Sequence, residues 1–200
     1  MNFEIPELPA NERRFLPAAA PEATGRTVSG TALLFETRSE NLGTRDRPWF
    51  EVIARDALPP LVTQDVRALA NHDSGMVLAR SKRGTGTLKL ETDTEGLRYS
   101  FQAPETTAGN DLLESIKRGD IDQSSFQFTV APGGDKWEKL PDGAVLRTIT
   151  KIEAIFDVSP VAFPAYSGTT VQARSTGPTA GEDPTVTNAR RMFELLAAPL

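Results

Sequence analysis

An α+β fold, mainly β, is predicted for the central part of this 200-residue chain by three observations. Short runs of alternating apolar residues recur between residues 27 and 173. Turn-forming glycine, proline, aspartate and asparagine separate these runs. Only one segment of the block combines helical periodicity with helical end signals. A domain of many short strands and few helices is expected from such a pattern.

The strand predictions follow from alternation and from turn signals. Residues 93–96 read Asp-Thr-Glu-Gly and form the predicted turn of a hairpin between two alternating runs. Residues 64–71 fit either a strand or a helix. The predicted strands are residues 27–36, 87–91, 96–103 and 124–130, followed by a long β-rich run over 144–158.

A single helix is predicted after the hairpin. Thr106 or Thr107 is suited to cap its first turn, and Gly119 is suited to end it. Lys117 and Arg118 complement the negative end of the helix dipole. The apolar stripe of the helix consists of Leu112, Leu113 and Ile116.

The two ends of the chain differ from the middle in composition. Residues 1–26 mix proline, alanine, glutamate and arginine without periodicity, and residues 174–187 are rich in glycine, proline and threonine. Such segments offer little to bury, so both are predicted to be flexible. Residues 27–173 are the predicted domain. Residues 188–200 are predicted to form a short amphipathic helix and tail.

Composition excludes several classes of function. The chain has no cysteine and one histidine, which rules out thiol nucleophiles, Cys-ligated metals and multi-histidine metal sites. No metal or other cofactor is therefore expected. A net charge of −5 argues against a partner among nucleic acids. No apolar run reaches the roughly 18–20 residues of a membrane span, and the N-terminus lacks the features of a signal peptide. An intracellular protein without membrane contact is expected.

The only histidine, His72, lies in the segment Asn71-His72-Asp73. Histidine is the side chain whose ordinary pKa lies nearest to neutral pH, so it is the candidate general base. The alternative is a histidine at the surface or at the edge of the core, which is the commoner role of a lone histidine.

Ser125 stands in a predicted strand that alternates with Phe126 and Phe128. The strand period of two places Ser125 on the face opposite these rings, where a rigid backbone could present a nucleophile. Ser125 could equally be an ordinary polar residue on a solvated face, because no Gly-x-Ser-x-Gly elbow surrounds it.

Three charged residues share one parity in the long run over 144–158: Arg147, Glu153 and Asp157. An unbroken strand would place all three on one face. A carboxylate there could orient a histidine, and Arg147 could support an oxyanion. A row of surface ion pairs is the alternative, and a β-bulge would break the parity.

Taken in order, these motifs resemble those of the tailed-phage prohead maturation proteases, serine peptidases similar to herpesvirus assemblin. The resemblance covers residues 27–173, and each motif alone is weakly specific whereas the ordered set is specific. The nucleophile strand is represented by Gln123-Ser124-Ser125-Phe126-Gln127-Phe128. The other matching segments are Gly30-Thr31-Ala32, Phe50-Glu51 with Asp56-Ala57-Leu58, Asn71-His72-Asp73, Val77-Leu78-Ala79-Arg80, Glu95-Gly96-Leu97, Ile116-Lys117-Arg118-Gly119-Asp120, and a run that Arg147 opens and that closes in Asp157-Val158-Ser159-Pro160 through Tyr166.

The resemblance implies a seven-stranded β-barrel surrounded by helices. It implies that Ser125 is the nucleophile and that His72 is the general base. Asp157 is the best positional match for the third catalytic residue, and Glu153 is the alternative. Assemblin uses a second histidine at that place, so this chain would use a carboxylate there or work as a dyad. Gln127 stands where the family often has glycine.

The function implied by the resemblance is a serine endopeptidase of the viral procapsid. It would act in the host cytoplasm and inside the procapsid, with the major capsid protein or its scaffolding segment as substrate and with itself as a second substrate. It could also form a homo-oligomer. Two alternatives remain: a catalytically silent assembly or scaffold factor with the same fold, and a generic β-barrel ligand-binding module.

Overall fold

The computed structural model describes residues 5–16 and 20–162, which form thirteen strands and one α-helix. The helix, α1, is Thr107–Arg118, and a short 3-10 turn covers Leu61–Thr63. No helix among the described residues is long and apolar enough to cross a bilayer. In chain order the strands are β1 (Glu12–Leu16), β2 (Glu22–Thr24), β3 (Thr27–Leu34), β4 (Trp49–Ile53), β5 (Asp65–Leu69), β6 (Val77–Lys82), β7 (Thr85–Gly86), β8 (Leu88–Thr92), β9 (Gly96–Gln102), β10 (Gln123–Val130), β11 (Asp135–Lys139), β12 (Val145–Ile149) and β13 (Ile152–Val161).

The strands form three sheets. The largest has six strands in the order β1-β10-β13-β5-β6-β7, the second has the order β2-β3-β9-β8, and the third has the order β11-β12-β4. The α+β, mainly β class predicted from the sequence is confirmed. None of the three sheets closes on itself within the described residues, so the seven-stranded barrel stays a prediction.

Several of the strands and the helix lie close to where the local sequence patterns predict them. Residues 64–71 contain the strand β5, and the helical alternative is wrong. The hairpin turn between β8 and β9 is held by the Asp93 carboxylate, which accepts hydrogen bonds from the backbone of Glu95 (2.7 Å) and Gly96 (2.9 Å). In α1 the Thr106 hydroxyl accepts from the Gly109 amide, and Gly119 ends the helix with φ 77°.

The long β-rich run over 144–158 is not a single strand. A single unbroken strand is what would place Arg147, Glu153 and Asp157 on one face. The run breaks at Thr150 and Lys151, whose amides both donate to the carbonyl of Gly134 at 2.7 and 2.9 Å. The two halves then enter different sheets: β12 pairs with β11 and β4, whereas β13 pairs with β10 and β5. The predicted common face for Arg147, Glu153 and Asp157 is therefore wrong.

Two strands precede residue 27, within the segment predicted to be flexible. β1 pairs with β10, and β2 pairs with β3. Both strands lie at sheet edges and are held by hydrogen bonds to their neighbours, and β1 also forms ion pairs. Because these interactions do not depend on apolar residues within the strands, the composition of residues 1–26 does not indicate that they form strands. The predicted linker over 174–187 and the predicted helix over 188–200 lie outside the described residues.

One apolar core joins the three sheets and α1. The six-stranded sheet contributes the stacked rings of Phe126 and Phe128, whose centroids are 4.7 Å apart. The four-stranded sheet contributes Tyr99 and Leu97 among others, and α1 contributes Leu112. Phe126 and Phe128 belong to β10, so their packing in the core holds in place the strand that carries Ser125.

Candidate active site

Ser125 lies on β10, between the edge strand β1 and β13 of the six-stranded sheet. On one side it is paired with Ser159 of β13, and on the other with Phe15 of β1. Its neighbour Ser124 faces the core, where its hydroxyl is 2.9 Å from the hydroxyl of Tyr99. The Tyr99 ring lies over Gly30, where a Cβ atom would come within 2.5 Å of the phenol oxygen. The absence of a side chain at Gly30 thus leaves space for the Tyr99 ring, whose hydroxyl contacts Ser124 on the core face of β10.

His72 lies in the tight loop between β5 and β6. Asn71 and His72 both have left-handed backbones, with φ of 52° and 60°, which costs energy in residues other than glycine. The loop is held by β13: the Asn71 amide donates to Pro160 O at 3.1 Å, and the Asn71 side-chain oxygen accepts from the Ala162 amide at 2.9 Å. The strand that carries Asp157 therefore also positions His72.

The three predicted catalytic side chains form one hydrogen-bonded chain. Nε2 of His72 is 2.6 Å from Oγ of Ser125, and Nδ1 of His72 is 2.6 Å from Oδ1 of Asp157. A carboxylate only accepts, so the proton of the second bond belongs to Nδ1 and Nε2 is free to accept from the serine. All three side chains are buried. This is the order of contacts that a serine nucleophile, a base and an orienting acid require.

Asp157 is held in place by Ser159. The Ser159 hydroxyl donates to Oδ1 of Asp157 at 2.6 Å, the same oxygen that accepts from His72. Two hydrogen bonds to one oxygen restrict rotation of the carboxylate and keep that oxygen beside His72. Ser159 was part of the matching motif but was not predicted as a site residue. The signal that could have found it is its spacing, two residues after Asp157 on one strand.

Glu153, the alternative acid, lies elsewhere. The pairing of β13 with β10 contains two irregularities, one at Phe156 and one at Glu153, and both of these side chains are exposed. Each irregularity shifts the alternation by one residue. The structure therefore brings Asp157 and not Glu153 to His72.

Arg147 belongs to a separate group of buried charges, which we call the arginine–carboxylate cluster. Its guanidinium donates to carboxylates at 2.5 to 2.9 Å, and these contacts do not support the oxyanion role, which stays a prediction. Burial acts to lower the pKa of Arg147, but the hydrogen bonds and charges of the carboxylates outweigh burial and raise it. The members of the cluster are Glu12, Arg14, Glu51, Asp135 and Arg147.

Arg14 connects this cluster with the site. Its side chain lies among the carboxylates, and its backbone carbonyl accepts a hydrogen bond from Oγ of Ser125 at 2.7 Å. The serine hydroxyl has one proton and two neighbouring acceptors, His72 Nε2 and this carbonyl. Sequence reasoning missed Arg14, because no local pattern links residue 14 with residue 125.

The site supports acyl transfer through an oxygen nucleophile. A buried Ser–His–Asp chain can move one proton from Oγ to Nε2 while a carbonyl is attacked. Within residues 5–16 and 20–162, no group of three or more acidic or histidine side chains is placed to hold a metal ion.

Comparison with curated proteins and with solved structures gave no match. In the comparison with protein families, residues 16–182 match the family described as the caudovirus prohead serine protease. The match spans Ser125, His72 and Asp157 and most of the chain. The chain therefore belongs to the caudovirus prohead serine protease family.

Proposed function

We propose that this chain is an active serine endopeptidase that cleaves the scaffolding segment of the major capsid protein, and itself, inside the procapsid of a tailed phage. The observation that carries the proposal is the hydrogen-bonded chain of His72, Ser125 and Asp157 in a member of this family. A silent assembly factor would have no need of this arrangement. The retained contacts favour the enzyme over the assembly factor.

Each of the three side chains has a defined task in the proposed reaction. Oγ of Ser125 attacks the peptide carbonyl while Nε2 of His72 takes its proton, and the imidazolium then gives that proton to the leaving amine. Asp157 accepts the hydrogen bond from Nδ1–H and stabilises the imidazolium. Water repeats the sequence on the acyl-enzyme and restores the serine.

Co-expression with the major capsid protein of the same phage tests the proposal. Intact mass should show a shortened capsid protein with the wild-type chain and a full-length one with Ser125→Ala. Ser124→Ala is the matched control, because it removes a neighbouring hydroxyl that faces Tyr99 instead of His72. A full-length capsid protein with the wild-type chain, while the folded chain co-sediments with procapsids, would contradict the enzyme and favour the assembly factor.

A further inference from the structure

The N-terminal strand lies along the nucleophile strand as an extended peptide would. β1 is the edge strand of the six-stranded sheet and runs antiparallel to β10, with Arg14 opposite Phe126 and Phe15 opposite Ser125. Addition of an extended segment to a strand edge is a common mode of peptide recognition. The family match begins at residue 16, so most of β1 lies outside the part that identifies the family. β1 thus occupies a position suited to substrate.

The main chain of β1 presents a peptide bond to the nucleophile. The carbonyl oxygen of Arg14 accepts from Oγ of Ser125 at 2.7 Å. This hydrogen bond marks the carbonyl that lies beside the nucleophile, and for cleavage Oγ must turn from its oxygen to its carbon. The bond in that position is Arg14–Phe15, with Arg14 on its acyl side.

The side chain of Arg14 fills a pocket of the domain. Its Nε and Nη2 donate to the two carboxylate oxygens of Glu51 at 2.7 and 2.8 Å. The guanidinium carbon is 6.0 Å from the ring centroid of Trp49 and 5.6 Å from that of Phe128. We call the space formed by Glu51, Trp49 and Phe128 the Glu51 pocket. It combines a fork-shaped carboxylate contact with aromatic faces, which together suit a guanidinium.

The Glu51 pocket keeps its charge when β1 leaves. Glu12 belongs to β1 and would leave with Arg14, whereas Glu51 and Asp135 belong to the domain. Arg147 would remain, with its guanidinium 2.9 Å from Glu51 and 2.7 Å from Asp135. One guanidinium would then face two carboxylates. The empty pocket therefore carries an excess negative charge beside an oriented Glu51, and an incoming cation would balance it.

We propose that the Glu51 pocket is the subsite for the residue on the acyl side of the scissile bond, that it selects arginine, and that Arg14 occupies it as the chain's own substrate segment. The inference rests on the proposed function and names its substrate class: extended segments with arginine before the cleaved bond. Oγ of Ser125 bonds to the arginine carbonyl carbon, the bond to the next nitrogen breaks, and the serine proton passes through His72 to that nitrogen. Water then releases the arginine carboxylate and restores the hydroxyl.

Adjacent arginines in β1 provide a matched control. Arg13 is exposed, and its Nε donates to the side chain of Gln127 at 3.3 Å, outside the pocket. Three peptides covering residues 10–19 are given to the full chain: the native sequence, one with citrulline at position 13 and one with citrulline at position 14. Citrulline keeps the shape of arginine and removes its charge. The readout is kcat/KM, with the cut located by mass spectrometry.

The native peptide and the position-13 peptide should be cut after residue 14 at rates within about threefold of each other. The position-14 peptide should be slower by about a hundredfold, because a desolvated charge pair would lose one partner. Equal rates for all three peptides, a cut elsewhere, or no cut while the capsid protein is processed would each overturn the inference and leave the proposed function intact. Loss of capsid processing itself would contradict the proposed function.

A variant of the enzyme gives a second readout. Glu51→Gln should bring the rates on the native and position-14 peptides to within a few fold of each other, because the neutral amide no longer distinguishes charge. Circular dichroism reports whether this variant folds. If it does not fold, the peptide comparison decides the question alone; if it folds and still prefers arginine a hundredfold, the pocket has been assigned wrongly.

Discussion

The proposed catalytic triad of Ser125, His72 and Asp157 and the arginine–carboxylate cluster are both buried polar groups, but their contacts suit different tasks. In the triad, one proton can pass between an oxygen and a nitrogen that lie 2.6 Å apart. In the cluster, the guanidinium groups of Arg14 and Arg147 have raised pKa values and keep their protons. The first arrangement can carry out a reaction, and the second fixes charges in space. Burial of a polar network alone therefore does not indicate catalysis.

The two groups also differ in how the fold assembles them. The triad comes from adjacent parts of one sheet: β10, β13 and the loop after β5. The cluster joins β1 of that sheet to β4, β11 and β12 of another. Loss of a triad side chain should thus affect the rate, whereas loss of a cluster side chain should affect the connection between two sheets.

The largest expected effect is that of Ser125→Ala on cleavage. The substitution removes one hydroxyl and no core volume, so the fold should persist while the rate falls by roughly 10⁴- to 10⁶-fold. Capsid processing measured by intact mass, with melting temperature as the check on folding, tests this. Activity lost in Ser124→Ala but kept in Ser125→Ala would mean that the nucleophile has been assigned to the wrong serine.

His72→Gln should have an effect of similar size. The chain has one histidine, so no second imidazole can take the serine proton. Glutamine preserves hydrogen bonding but is not a base at neutral pH. The same processing assay measures the loss, and cleavage near the wild-type rate would contradict the serine-protease mechanism.

The two candidate acids should separate clearly. Asp157→Asn should lower the rate by about 10⁴-fold, because an amide favours the wrong tautomer of His72. Glu153→Gln, at an exposed irregularity of the strand, should leave the rate within about twofold. If both substitutions leave kcat/KM almost unchanged, the site works as a Ser125–His72 dyad.

The cluster should respond through stability. Arg147→Met leaves Glu12 and Glu51 buried with one partner fewer, and we expect the free energy of unfolding to fall by about 3–5 kcal/mol. Arg80→Met is the control, because Arg80 forms its bidentate pair with Asp65 in solvent and should change stability far less. Urea denaturation measures both variants, and similar small losses would show that the cluster is not a structural connection.

The smallest effect concerns the turn between β8 and β9. The hydrogen bonds from Arg98 and from the turn backbone lower the pKa of Asp93 to about 2. Because this pKa lies below the unfolded value of about 4, the stabilisation is complete above about pH 4 and is lost as pH falls towards 2. The difference in unfolding free energy between wild type and Asp93→Asn should shrink between pH 5 and pH 3. If this difference in unfolding free energy does not change with pH, the lowered pKa of Asp93 is contradicted.

The contrast between the two groups explains what the sequence could predict. Ser125, His72 and Asp157 lie in short motifs whose order is characteristic of a family, so they could be named without a structure. Glu153 could not be separated from Asp157 by spacing, because the irregularities in β13 depend on pairing with β10. The arginine–carboxylate cluster could not be predicted as a group, since its members come from β1 of one sheet and from β4, β11 and β12 of another, which meet only in the folded chain.

The extra residue at Phe156 has a consequence for how β13 can vary. Ile155 and Val158 are three positions apart, yet both enter the core, while Asp157 lies on the opposite face with Ser159. This is possible because Phe156 adds half a period to the strand. If β13 instead paired regularly through Phe156, Ile155 and Asp157, which are two positions apart, would lie on the same face. The spacing of β13, rather than only its chemistry, is thus part of what keeps an acid within reach of His72.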